Sequence, residues 1–290
     1  YVYGAQMTTL IGPWLRKHMG GAPYVLHVED LWPESLIQSS IVGREGFKRL
    51  IASTLNPLLR VAYHDAAAVV GLGETMVETL VSRGAAAAST HLVYNWADEE
   101  ARLTKSASSE VTPRAEGVNI VYAGNVGEVQ DLETAVHAAH LTRESGVRLT
   151  IVGDGVALPR VQALASQLGA TNIEFFGRIP SDHMGQVYAA ADYLLVSLKD
   201  LPFARSTIPS KFQSSLAQGV PVITTVEGDV RKIVEELGVG LSANAGECSS
   251  LAAAFRRAAA QNESARRAMR MRARHAYEEK FSMAVGINAI

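Results

Sequence analysis

The chain has 290 residues, 48% of them hydrophobic and 19% charged, with a formal net charge of −2. That balance excludes a disordered polymer and disfavours a nucleic-acid or other polyanion binder, and the length exceeds what one hydrophobic core ordinarily supports, so two domains are expected. Cys248 is the only cysteine, which excludes an intrachain disulfide and a cysteine metal cluster and fits cytosolic chemistry.

No apolar run reaches the roughly 18 residues of a spanning helix. Tyr1 to Leu10 has no basic region of the kind that opens a signal peptide. Residues 4–18 place Met7, Leu10, Ile11, Trp14 and Leu15 at helical spacing. Gly20-Gly21 ends that pattern, and Tyr24-Val25-Leu26-His27-Val28 reads as a strand. It runs into Glu29-Asp30-Leu31-Trp32-Pro33-Glu34-Ser35, an acid-rich segment at a strand's carboxyl edge. Glu29 or Asp30 either caps the next helical segment or faces a cleft as a base or hydroxyl ligand.

A helix is expected over 45–63, with Phe47, Leu50, Ile51, Leu55, Leu58, Leu59 and Val61 as its apolar face. Arg44, Lys48, Arg49 and Arg60 form a basic side, either a solvated face or a membrane contact. Residues 65–71 read as a strand, 74–81 as a helix stopped by Arg83-Gly84, and 91–94 as a strand. Residues 99–117 lose periodicity and form the best linker candidate.

From Val118 on, strands at 118–123, 147–152, 172–176, 192–197, 220–225 and near 239–242 alternate with helical patterns. Continuously apolar strands between helices indicate a parallel sheet covered on both faces. Amphipathic Ala- and Arg-rich helices over 251–260 and 263–277 close the chain.

Several turns follow the carboxyl ends of these strands, where open α/β sheets bind ligands. Gly124-Asn125-Val126-Gly127 is either a relaxed structural turn or a phosphate loop. In Gly153-Asp154-Gly155 the aspartate suits capping of the helix near Leu158. Gly177-Arg178 follows the third strand, where a main-chain edge suits a base. In Ser206-Thr207-Ile208-Pro209-Ser210-Lys211, Pro209 suits the first helical position. Helix amides with Lys211 and Arg205 would hold a diphosphate, although ordinary capping also explains the pattern. Glu227-Gly228 forms a further turn of this kind. No histidine pair with an acidic partner, no nucleophile elbow, no Walker lysine motif and no dinucleotide glycine fingerprint is present.

The ordered series Tyr122-Ala123-Gly124-Asn125-Val126-Gly127, Ile151-Val152-Gly153-Asp154-Gly155, Phe176-Gly177-Arg178-Ile179-Pro180, Tyr188-Ala189-Ala190-Ala191-Asp192, Pro209-Ser210-Lys211 and Gly219-Val220-Pro221-Val222-Ile223 resembles the donor domain of glycosyltransferase family 4. Asp30-Leu31-Trp32-Pro33-Glu34-Ser35 is similar to a segment of L-fucosamine-type transferases of O-antigen and capsule synthesis. The resemblance implies an α/β GT-B fold, two Rossmann-like domains facing across a cleft, with the N-terminal one incomplete. It implies a partial acceptor-side domain over 1–112, a donor domain over 113–275 and a C-terminal helix over 276–290 packing back toward the first domain.

By the same resemblance the reaction is retaining transfer of a sugar from a nucleotide diphosphate, a UDP-sugar, to a saccharide or polyprenyl-linked acceptor. No cofactor or metal is implied. The setting is the bacterial cytoplasm, with peripheral contact at the inner membrane face. Glu29 and Asp30 are the catalytic candidates. Gly124, Asn125, Gly127, Asp154, Gly155, Arg178, Arg205, Ser210, Lys211, Glu227 and Gly228 are the donor-binding candidates. The chain departs from the family where two glutamates flank the Pro-Ser-Lys segment. Ser206 and Ser214 stand there, which leaves Gln213 as a substitute ribose ligand or weakens ribose binding. A catalytically inactive binding subunit and a nucleotide-sugar epimerase are the alternative readings.

Overall fold

The computed structural model describes residues 1–4, 7–34, 45–97 and 117–289. The chain divides into two compact units. One holds Tyr1–Tyr94, Ser206–Ile208 and the chain end from Gly286, and the other Asn95–Arg205 and Pro209–Val285. The linker expected over 99–117 lies outside the described residues except for Gly117, and Ser35 lies outside them too.

In the first unit, β1 (Val2–Gly4), β2 (Val25–Val28), β3 (Ala68–Gly71) and β4 (Thr90–Leu92) form a parallel sheet in the order β1-β2-β3-β4. Its helices are α1 (Ile11–His18), α2 (Glu45–Asp65) and α3 (Glu74–Ser82). Leu26, Val28 and Val69 of the sheet pack with Leu59, Tyr63, Met76 and Leu80 of the helices. Two expectations need correction. The first helix begins at Ile11 and not at residue 4, because Val2–Gly4 pairs with β2 as a strand. Three residues are too few to show strand alternation, so pairing decided the state. On α2, Leu58 and Val61 are 62% and 46% exposed. Leu59, Ala62 and Tyr63 take the buried face, and Leu58 and Val61 fall on its flank. Arg60 is exposed, while the side chains at 44, 48 and 49 are outside the described residues.

The second unit carries β5 (Val118–Ala123), β6 (Val147–Val152), β7 (Ile173–Phe176), β8 (Tyr193–Val196), β9 (Val222–Thr224) and β10 (Gly240–Ser242). All pair in parallel, in the order β10-β9-β8-β5-β6-β7. The chain runs outward from β5 to β7 on one side and then from β8 to β10 on the other. The strand order therefore reverses between β5 and β8, the point where doubly wound sheets open a crevice at their carboxyl ends. Every residue of β5 is buried, as a sheet covered on both faces requires. Ile120, Tyr122, Leu149, Ile151 and Tyr193 pack in one core with Val136 and Phe255.

Helices α4 (Leu132–Leu141), α5 (Leu158–Gln167), α6 (Met184–Ala189), α7 (Ser210–Ala217), α8 (Asp229–Leu237), α9 (Cys248–Ala260) and α10 (Glu263–Ala276) cover the sheet, followed by α11 (Met283–Asn288). Asn262 caps α10 by accepting from the Ala265 amide. The arginines of α10 reach the ends of three other helices. Arg270 donates to the carbonyl of Ala191 beyond α6, Arg272 to Gly238 at the end of α8, and Arg274 to Ala217 at the end of α7. Terminal carbonyls lack helical partners and carry negative partial charge, so guanidinium groups satisfy both needs. Among the described residues, no helix is long and apolar enough to cross a membrane.

Candidate functional site

At the carboxyl ends of β5, β6 and β7 the second unit opens a cleft of about 520 Å³. Ala123, Gly124 and Asn125 line it from β5, and Val152, Gly153, Asp154 and Gly155 from β6. Arg178, Ile179 and Met184 complete the wall beyond β7. The first two loops touch. Gly124 donates its amide to the Val152 carbonyl at 2.9 Å, and Val126 donates to Asp154 at 2.8 Å. Gly153 has φ +135°, and a Cβ there would lie 1.9 Å from the Gly124 carbonyl oxygen, so no other residue permits this approach.

Lys211 stands behind the first loop. A Cβ on Gly124, whose φ is +141°, would meet the Lys211 Nζ at 3.3 Å. The same Nζ donates to the Tyr122 hydroxyl at 2.8 Å and lies 3.9 Å from the centre of that ring. The hydroxyl in turn donates to the Asn125 carbonyl. One hydroxyl thus ties the ammonium to the loop. Burial pushes the Lys211 ammonium down to about 8 and raises the Tyr122 phenol, which stays protonated. A largely desolvated cation that bonds a phenol and lies against its ring is suited to an arriving anion.

Of the donor-binding candidates, Gly124, Asn125, Asp154, Gly155 and Arg178 meet around the cleft, with Lys211 behind it. Gly127 donates its amide back to Gln130 Oε1 at 3.1 Å. Asp154 does not cap α5. Its Oδ1 accepts from the neighbouring Gly155 amide at 2.7 Å, and Ala157 occupies the cap without a side-chain bond. Pro209 is the cap of α7 and not its first residue, because its ψ of 137° is extended, so Ser210 begins the helix.

Arg205 is absent from the lining of this cleft. Asp200 holds it through two bonds of 2.9 and 2.8 Å. Its carbonyl sits against Gly228, where a Cβ would approach to 2.1 Å. Glu227 pairs with Arg231 at 3.1 Å. Glu227 and Gly228 are likewise absent from the cleft lining. Gln213 is 2% exposed, and with its amide in the satisfied orientation it donates to the Pro209 and Ser210 carbonyls at 2.8 and 3.2 Å. That removes it as a ribose ligand. Ser214 bonds the Tyr188 hydroxyl, and Ser206 is buried.

Ile179 and Met184 line the cleft without a signal in the sequence, since apolar side chains after a strand carry no chemical mark. For Tyr122, the link to Lys211, its place one residue before the strand's end is the available clue, because a hydroxyl there sits beside the turn.

In the first unit, Glu29 and Asp30 follow β2 directly. Glu29 Oε1 lies 3.2 Å from Nε2 of His27. Burial, and next the Glu29 charge, raise the Asp30 carboxyl above its ordinary range. Glu34 is structural: Arg83 grips its carboxylate at 2.7 and 3.1 Å and the Trp32 carbonyl at 2.7 Å. Among the described residues no group of three or more His, Cys, Asp or Glu is placed to hold a metal ion.

The parallel six-stranded sheet, its reversal of strand order and the cleft at the carboxyl ends of β5 to β7 define a doubly wound α/β protein. Residues 117–261 match the family described as Glycosyl transferases group 1, half of the chain, and the chain belongs to that family. It is 25% identical over 232 residues to the probable glycosyltransferase WbjE of Pseudomonas aeruginosa. It is 27% identical over 235 residues to the putative colanic acid biosynthesis glycosyl transferase WcaI of Escherichia coli K12. Each match covers 78% of this chain but only 57% of the relative, so the chain spans little more than half the length of either.

Among solved structures it is similar to Anabaena Alr3699/HepE in complex with UDP, with TM-score 0.76, 15% identity, and 98% and 75% of the two chains covered. It is also similar to WaaG, a glycosyltransferase involved in lipopolysaccharide biosynthesis, with TM-score 0.67, 15% identity, and 95% and 80% covered. At these identities the likeness establishes the fold, which is the GT-B α/β class expected from the sequence.

Proposed function

We propose that the protein transfers a sugar from a UDP-sugar to a saccharide or lipid-linked acceptor in bacterial surface polysaccharide synthesis. The half-buried Lys211 ammonium behind Gly124 carries this reading, because it supplies a partly desolvated positive charge where a diphosphate would leave. HepE, a fold neighbour, was solved with UDP. Asp154 repels phosphate and accepts from hydroxyls, so it suits the sugar or the ribose. Arg178 at the cleft wall suits phosphate or base. Glu29 is the acceptor-side base, with Asp30 beside it. Helix amides and Lys211 replace a metal ion in stabilising the leaving group, and transfer retains the anomeric configuration. The work is done at the cytoplasmic face of the membrane.

Calorimetry with UDP and GDP on the full chain tests the donor reading. Micromolar to submillimolar UDP binding is expected; a folded chain that binds neither nucleotide at millimolar concentration refutes it. A screen of UDP-sugars against saccharide acceptors, followed by UDP release with and without EDTA, then defines the reaction and its metal requirement. A second reading, an inactive binding unit, is favoured by Ser214, which bonds Tyr188 where the family has a glutamate. Turnover appearing only after Ser206→Glu and Ser214→Glu would select it.

A further inference from the structure

His27 stands where the pattern of β2 calls for an apolar side chain, and it is 3% exposed. An imidazole buried so fully must find partners for both ring nitrogens or destabilise the fold. Nδ1 has one, the Tyr1 hydroxyl at 2.7 Å. Nε2 lies 3.2 Å from Glu29 Oε1, at an angle short of a hydrogen bond. β2 ends at Val28, and the bend that follows leaves the Glu29 carboxylate beside the His27 ring. The strand thus delivers an imidazole to the back of a carboxylate that stands just past the sheet's edge.

The surroundings fix the proton. Two tyrosines face the ring edge-on: Tyr1, just before β1, at 5.9 Å between centroids, and Tyr3 of β1 at 5.1 Å, with Tyr3 paired to His27 across the sheet. Tyr3 also bonds Glu29. From β3 the neighbouring side is apolar, with His27 in register with Val70. Among the described residues, the charged and titratable groups about the ring are therefore Tyr1, Tyr3 and Glu29. An Nε2 lone pair 3.2 Å from a carboxylate oxygen would be repelled, so the proton sits on Nε2. Nδ1 is then bare and accepts from the Tyr1 hydroxyl. Burial lowers the imidazole below its ordinary range against the opposing pull of Glu29, which keeps it neutral at pH 7.

We propose that His27 is a positioning residue, held in its Nε2–H tautomer by Tyr1, that orients the Glu29 carboxylate toward an acceptor hydroxyl. This rests on Glu29 as the acceptor-side base. An aimed carboxylate needs a fixed rotamer, and a donor behind it supplies one that Tyr3 alone does not. Catalytic hydrogen bonds are often loose without substrate and tighten when it binds, which fits the geometry at Nε2.

Two measurements on the full chain test it. Nitrogen-15 NMR of the histidine side chains at pH 7 should show His27 neutral with its proton on Nε2, and Tyr1→Phe should shift that tautomer balance. A proton on Nδ1, or an imidazolium, overturns the proposal without any variant having to fold. Kinetics use the donor and acceptor pair found in the screen above. His27→Leu should lower kcat by about tenfold to a hundredfold, the cost of misplacing a reacting group, with the donor KM within about twofold. His27→Gln, which keeps an N–H near the Nε2 position, should recover most of that loss. Equal losses in Leu and Gln variants, tracking their melting temperatures, would mean a merely structural histidine. Full turnover in Glu29→Gln overturns the acceptor-side base itself. Loss in Glu29→Gln with normal turnover in His27→Leu overturns only the role of His27.

Discussion

Lys211 is the residue on which the donor reading turns, and its burial makes separable predictions. Removing an ammonium that would bond a diphosphate weakens binding by about 1–3 kcal/mol. Lys211→Met should therefore weaken UDP by that amount in calorimetry, and melt no earlier than the parent, because an apolar chain replaces a buried charge. UDP affinity should also fall as pH rises through about 8, where the free ammonium loses its proton. Gly153 is the strictest position in the cleft. Gly153→Ala places a methyl group 1.9 Å from the Gly124 carbonyl and should cost more than about 3 kcal/mol, read as loss of the thermal transition. Gly177→Ala, with nothing within 4 Å of its added methyl, is the tolerated control.

Among the elements, α10 has the largest structural task for its sequence. Its arginines close the carboxyl ends of α6, α7 and α8, and the helix also needs its own Asn262 cap. Arg270→Met and Arg274→Met should each lower stability by about 1–2 kcal/mol in denaturant melts, with UDP affinity unchanged. The Ala-Arg pattern of this helix was readable as amphipathic, but its arginines looked like a solvated face. That they cap three other helices depends on packing between segments distant in sequence. β1 was unreadable for a related reason: Val2–Gly4 becomes a strand only by pairing with β2.

For the whole molecule, Lys211 links folding to pH with a definite sign. Its folded value of about 8 lies below the ordinary 10.5. Between these values the unfolded chain holds a proton that the folded chain has lost, so unfolding takes up a proton and stability rises with pH across that window. Below about 8 both states are charged and the burial penalty is fully present. Thermal melts of the free chain should show this group's gain above pH 8. Saturating UDP should abolish it, because a bound diphosphate holds the ammonium charged.

The amino-acid sequence alone specifies the parallel α/β class, most strand positions after Val118 and the glycine turns at their ends. Those features follow from local hydrophobic periodicity and backbone sterics. It also placed Lys211, Asp154 and Arg178 among the candidates, since charge beside a strand-end turn is visible in one dimension. Which of those charges stand at the cleft depends on tertiary packing. Arg205 pairs with Asp200 at the exposed surface, Glu227 with Arg231 and Gln213 with its own helix cap, whereas Lys211 bonds a phenol behind Gly124. The physical reason is that a charge acts through its nearest partner and its desolvation, and both are set by side chains that sequence spacing does not bring together.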